Sequence, residues 1–144
     1  MKYTLILFLL SQTISLGLFA QDKVVWSTVF NSKSTELVFT AKIADGWHLY
    51  SQFIQKDVGP VPTQFTFATE DSLALVGKIA ESKSIQEYDE NFEAELSFFI
   101  KEATFKQKIK KGSKGDFSGY ITYMVCNDVT CLPPVDKDFR IVIP

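Results

Sequence analysis

The chain has 144 residues, 46% hydrophobic and 22% charged, which is enough for one domain with a real core. Seventeen acidic and fifteen basic residues leave a formal charge of −2. With no basic block in the sequence, nucleic acid and anionic membrane surfaces are excluded as expected partners.

Residues 1–20 read as a secretory signal peptide: Lys2 supplies the positive start, and apolar runs follow from Leu5 to Leu10 and from Ile14 to Phe19. Ala20 is the expected cleavage position. Leu18, two residues before it, departs from the small-x-small pattern, so retention as an anchor stays open. No later stretch is apolar enough to cross a bilayer, and no stable membrane insertion is expected after removal. Loss of Lys2 leaves 14 basic against 17 acidic residues, a charge of −3.

From Gln21 onward the pattern predicts strands. Lys23 to Phe30 is rich in β-branched and aromatic residues. Thr35 to Ile43 alternates, with Leu37, Phe39 and Ala41 on one face. Asp45-Gly46 is a turn signal, and Trp47 to Phe53 resumes an extended reading. Gly59-Pro60-Val61-Pro62 breaks the chain; Gln64 to Thr69 and Leu73 to Ile79 are further strands. Ser82 to Glu93 is polar and reads as a long loop. Ala94 to Lys101 and Ala103 to Lys110 read as a strand pair, followed by a loop at Lys111–Gly115. Gly119 to Cys126 and Asp138 to Ile143 are the last strands. Seven to nine short strands without a helix-period segment predict an all-β sandwich over residues 21–144. Lys106, Lys108 and Lys110 alternate as a solvated face or protected edge does.

The two cysteines, Cys126 and Cys131, are the only ones present, and four residues separate them. If the segments around them are antiparallel neighbours, opposed Cα atoms lie about 4.5–5.5 Å apart. A disulfide accepts about 4.4–6.8 Å, so the two can bond. Closing so short a loop stabilises a fold by only about 2 kcal/mol, and a chain of this length does not depend on it. The residues alone leave three readings open: a structural disulfide in a hairpin, reversible redox exchange, and metal binding. A zinc site would need more ligands than two cysteines and the distant His48 supply. There is no Cys-x-x-Cys at a helix start to lower a thiol pKa, and Asp128 between the cysteines opposes thiolate formation. Such a pair suits exchange with a docked protein that brings the reactive sulfur.

The block from Gly119 to Pro134, with Cys126-Asn127-Asp128-Val129-Thr130-Cys131-Leu132-Pro133-Pro134 at its centre, is followed by Asp138-Phe139-Arg140-Ile141. It resembles the amino-terminal periplasmic domain of the thiol–disulfide interchange protein DsbD. Asp45-Gly46-Trp47-His48-Leu49-Tyr50-Ser51-Gln52 is similar to that family's turn and aromatic strand, and Asp89-Glu90-Asn91-Phe92 to its acidic-aromatic loop.

The resemblance implies an immunoglobulin-like β-sandwich with the cysteine pair on a β-hairpin, shielded by an aromatic cap until a partner docks. It implies that Cys126 and Cys131 cycle between dithiol and disulfide, as a thiol–disulfide oxidoreductase-type exchange centre. Cys131 would form the mixed disulfide with a thioredoxin-fold partner, and Cys126 would resolve it. Full-length members continue into a membrane domain and a thioredoxin-like domain, so electrons are expected here from a separate membrane donor. Phe92 is the expected cap, with Tyr88 second. Asp89 and Glu90 are expected to raise a thiol pKa or take its proton, and Tyr50 and Tyr123 to line the site. His48, Trp26 and Trp47 are expected to be structural. No cofactor and no metal are expected. The competing function is a non-enzymatic immunoglobulin-like binding module whose disulfide pins a loop.

Overall fold

The structure, a computed structural model, describes residues 22–55, 57, 59–68, 71 and 74–144. The expected leader at residues 1–20 lies outside them, as do Thr69 and Leu73 at the expected strand ends. Strand β1 (Val24–Asn31) turns into β2 (Glu36–Ile43) as an antiparallel hairpin. Asn31 Oδ1 accepts the N–H groups of Lys33 and Ser34 and closes the turn. The alternation along β2 places Leu37, Phe39 and Ala41 fully inside.

β2 pairs on its other side with β8 (Glu102–Ile109), which pairs with β5 (Leu75–Glu81), giving a sheet ordered β1-β2-β8-β5. Lys106 and Lys108 stand exposed on β8, an inner strand of that order, so theirs is a solvated face and not an edge. A second sheet runs β10-β3-β7-β6, from β10 (Val125–Cys126), β3 (His48–Tyr50), β7 (Ala94–Ile100) and β6 (Ile85–Asp89). A third runs β11-β9-β4, from β11 (Val135–Ile143), β9 (Gly115–Tyr123) and β4 (Gln64–Phe67).

The first sheet stacks on the other two around one aromatic core. Phe39 meets Phe65 of β4 at 4.8 Å between ring centroids and Phe139 of β11 at 5.0 Å; Phe105 meets Phe99 of β7 at 5.6 Å. This is the expected all-β, immunoglobulin-like sandwich. Gly119 sits where β9 is pressed against β4: a Cβ there would lie 2.0 Å from the Thr66 carbonyl oxygen, so only glycine fits.

Four local expectations change. The stretch Ser82–Glu93 is not a single loop, because β6 occupies Ile85–Asp89. Its residues Gln86, Glu87 and Tyr88 are all exposed, so this edge strand carries no apolar alternation to read. β7 and β8 are not paired with each other. Lys101 between them takes a left-handed φ of 65°, and the chain passes from the second sheet to the first. The expected Trp47–Phe53 strand is only His48–Tyr50. Ser51 ends it: its Oγ accepts the Phe53 N–H at 3.0 Å and donates to Glu81 Oε1 at 2.6 Å. The expected Gly119–Cys126 strand is divided at Met124 into β9 and β10, which join different sheets.

Candidate functional site

The outer face of the second sheet carries a smaller cluster, separate from the main core. Tyr50, Ile54, Leu96 and Cys126 are buried there, with Phe92, Phe98, Met124 and Cys131 packed against them. Strand periodicity explains the separation. Val125 faces the main core, while Met124 and Cys126 on either side of it face outward.

Cys126 and Cys131 are joined as a disulfide and face each other across an antiparallel bridge with Cα atoms 4.0 Å apart. The flanking backbone bonds, Asn127 N–H to Thr130 O at 2.9 Å and Leu132 N–H to Val125 O at 2.9 Å, make this the narrow, non-hydrogen-bonded position of a hairpin. Asn127 closes the tip, where its Oδ1 accepts the N–H groups of Val129 and Thr130. The two sulfur-bearing residues differ in access. Cys126 is 0% exposed; Cys131 is partly exposed, beside the exposed Val129 and Leu132.

A buried polar group lies in the same layer. Tyr50 donates its hydroxyl proton to Asp89 Oδ2 at 2.5 Å, and His48 Nε2 stands 2.9 Å from the Tyr50 oxygen and 3.3 Å from Asp89 Oδ2. With the Tyr50 proton directed at Asp89, the geometry requires Nε2 to carry the histidine proton. Burial lowers the His48 pKa; the Asp89 charge and hydrogen bond oppose this, and Asp128 adds a smaller opposing effect. Burial, then the bond to Asp89, raises the Tyr50 pKa far above its usual value and keeps the phenol protonated. Asp89 Oδ1 also accepts the Asn91 N–H at 2.9 Å, so one carboxylate ties the β6 end to the turn that follows it.

That turn reaches the cysteine hairpin. Asn91 Nδ2 donates to the Asn127 carbonyl at 3.0 Å, clasping the two loops together. Phe92 is half-buried with its ring centroid 6.0 Å from that of Tyr50, edge to face. The remaining candidates lie elsewhere or outward. Tyr88 is 55% exposed on β6, and Glu90 is exposed at the turn. Tyr123 is buried in the main core with its ring 5.6 Å from Trp26, on the face away from Cys126. Its pKa is raised by burial and then by Asp22.

Three residues with polar roles here were not singled out as site residues by the sequence. His48 was read as structural, although its i, i+2 spacing to Tyr50 on a strand puts both on one face. Asn91 and Asn127 carry the clasp; Asn127 immediately after a strand is a recognisable turn-former, whereas the partnership with Asn91 has no local signal.

The family described as "Thiol:disulfide interchange protein DsbD, N-terminal" matches residues 17–143. No curated protein matches the chain. Among solved structures, the Neisseria meningitidis DsbD N-terminal domain in its reduced form is 23% identical, over 83% of this chain and 85% of that one, with a TM-score of 0.62. The complex between the DsbD and PilB N-terminal domains of Neisseria meningitidis matches at 21% identity, over 84% of each chain, with a TM-score of 0.63. The N-terminal periplasmic domain of ScsB from Proteus mirabilis matches at 14% identity over 83% of this chain and 44% of that one, with a TM-score of 0.52. At these identities the structures carry the fold. The family match spans the sandwich and the cysteine hairpin together, and by it the chain belongs to the DsbD N-terminal domain family.

Proposed function

We propose that this protein is a periplasmic thiol–disulfide interchange protein, relaying reducing equivalents between thioredoxin-fold partners through a reversible Cys126–Cys131 disulfide. The observation that carries the reading is the unequal burial of the two cysteines: Cys126 wholly buried, Cys131 partly exposed. A partner thiolate attacks the Cys131 sulfur, the bond to Cys126 breaks, and Cys126 departs with the electron pair. Burial favours its protonation to the neutral thiol. The partner's second thiol then releases Cys131, leaving the dithiol. In the opposite half-cycle, Cys131 attacks a substrate disulfide and Cys126 resolves the adduct.

Phe92 is the proposed cap, since it packs against the cluster that holds both cysteines. Asp89, with Tyr50 and His48, is the proposed polar support beneath it. Tyr88 and Glu90 are proposed to meet the partner. Tyr123, facing the main core, has no contact role in this reading. The family and the leader read at residues 1–20 support a periplasmic location. The related Neisseria domain in complex with PilB supports partnership with other domains. A membrane electron donor is the proposed source of electrons.

Cys126→Ser is expected to trap a covalent adduct through Cys131 with a thioredoxin-fold protein, detected on non-reducing gels and identified by mass spectrometry. Trapping only by the reverse mutant, Cys131→Ser, overturns the assigned roles. A redox titration separates this reading from an inert bridge in a binding module: a potential far below about −300 mV belongs to a structural disulfide.

A further inference from the structure

The outer face of the second sheet is only partly covered. Beyond the Phe92 turn it leaves an open cleft of about 340 Å³. Strand register forms its floor: Ile85 lies opposite Phe98, and His48 opposite Ile100, which is 46% exposed. Trp47 adds an aromatic wall. Among the described residues, the charged groups lining the cleft are the exposed Asp45, Glu87 and Asp128, against one cation, Lys101. Among the described residues none of these carboxylates is in a salt bridge. Lys23, outside this lining, holds its Nζ 5.3 Å from the Trp47 ring centroid.

The cleft is continuous with the cysteine hairpin. Asp128 lies within the loop that the disulfide closes, and His48 is the register partner of Cys126. A protein docked on Cys131 therefore covers this recess or stands beside it.

An apolar floor alone would accept a leucine, and an acidic rim alone would stay solvated. Together they match a side chain with an apolar stem and a cationic head. Trp47, whose ring already carries Lys23, and Phe98 add aromatic surface for the stem. We infer that the cleft is a docking subsite for a basic side chain, arginine or lysine, presented by the thiol partner beside its reactive cysteine. The inference rests on the exchange reading above and adds the charge of the partner's contact surface.

The test uses the oxidised protein and two synthetic peptides of equal length, each with one cysteine in the same neutral frame. One carries two arginines and the other two glutamates. Rates of disulfide opening are measured at low and high salt, with dithiothreitol as a neutral reference. The arginine peptide is expected to react faster, on the order of tenfold at low salt, with the preference collapsing at about 0.5 M salt. Asp45→Asn with Glu87→Gln, both remote in sequence from the sulfurs, is expected to abolish most of the preference. Asp138→Asn, the same kind of charge change on β11, is expected to preserve it. The peptides' own thiol pKa values cancel when preference is compared between variants. A preference that is absent, or unchanged in Asp45→Asn/Glu87→Gln, overturns the subsite while dithiothreitol still opens the bridge. Failure of dithiothreitol to open it in the folded protein overturns the exchange reading and the subsite together.

Discussion

The molecule holds two buried clusters built on opposite principles. The main core is filled by side chains such as Phe39, Phe105, Ile121 and Ile141; among the described residues Trp26 Nε1, packed against it, is the one buried side-chain nitrogen or oxygen without a hydrogen-bond partner. The smaller cluster beneath the cysteine hairpin buries a histidine, a tyrosine and a carboxylate in contact with one another. Dispersion and burial stabilise the first without regard to direction. The second depends on directed bonds and costs stability wherever one of them is lost. Two tyrosines show the difference. Tyr123 packs against Trp26 in the main core, while Tyr50 spends its hydroxyl on Asp89 and His48. The polar cluster is the one that adjoins the disulfide, which is where a departure from apolar packing is expected if that face has a function.

The comparison can be broken first at the main core. Phe39→Ala removes a fully buried ring at the centre of the sandwich and is expected to cost about 3–5 kcal/mol, read from the urea midpoint. A loss below about 1 kcal/mol would mean that the two clusters do not divide the work this way.

Tyr50→Phe keeps the ring and removes the hydroxyl, leaving the Asp89 carboxylate and the His48 N–H short of a partner. The expected cost is about 1–3 kcal/mol by the same measurement. Tyr123→Phe is expected to cost less, and equal losses would erase the distinction between the two tyrosines.

The pH dependence of His48 follows from the direction of its shift. Its folded pKa lies below the unfolded value of about 6.5, so the unfolded chain binds more protons between those two values. Stability contributed by neutral His48 is present above the unfolded pKa. It falls as pH drops below about 6.5 and stops falling below the folded pKa. Urea midpoints of the wild type and His48→Gln are expected to converge as the pH is lowered through this range. Parallel curves would remove His48 from the account.

Phe92→Ala truncates a half-buried ring at the edge of the cluster and is expected to cost about 1 kcal/mol or less. Its larger consequence is access: alkylation of the reduced cysteines is expected to become several-fold faster than in wild type. An unchanged rate would show that Phe92 does not shield the pair.

Local patterns carried part of this structure. Alternation at Leu37, Phe39 and Ala41 marked the core face of β2. The short interval between Cys126 and Cys131 was compatible with their bond once the segments were taken as antiparallel. The Asp89–Phe92 turn stood out by its resemblance to the family's acidic-aromatic loop. Other features had no such signal. β6 is an edge strand whose middle residues are all exposed, so it reads as a polar loop. β7 and β8 are consecutive and extended, yet a single left-handed residue at Lys101 sends them to different sheets. The placement of Tyr123 was available in part from period-2 counting, because it stands an odd number of positions before Cys126.

The chain by itself determined the strands with strong alternation, the turn chemistry and the closeness of the two cysteines, because each depends on residues a few positions apart. Tertiary structure alone decided that Asp89 meets Tyr50 across 39 residues, that Asn91 clasps Asn127, and that Cys126 is wholly buried while Cys131 stays partly exposed. Those outcomes depend on which sheet each strand joins and which face it turns outward. Pairing between strands far apart in sequence sets both, and no short stretch of sequence encodes it.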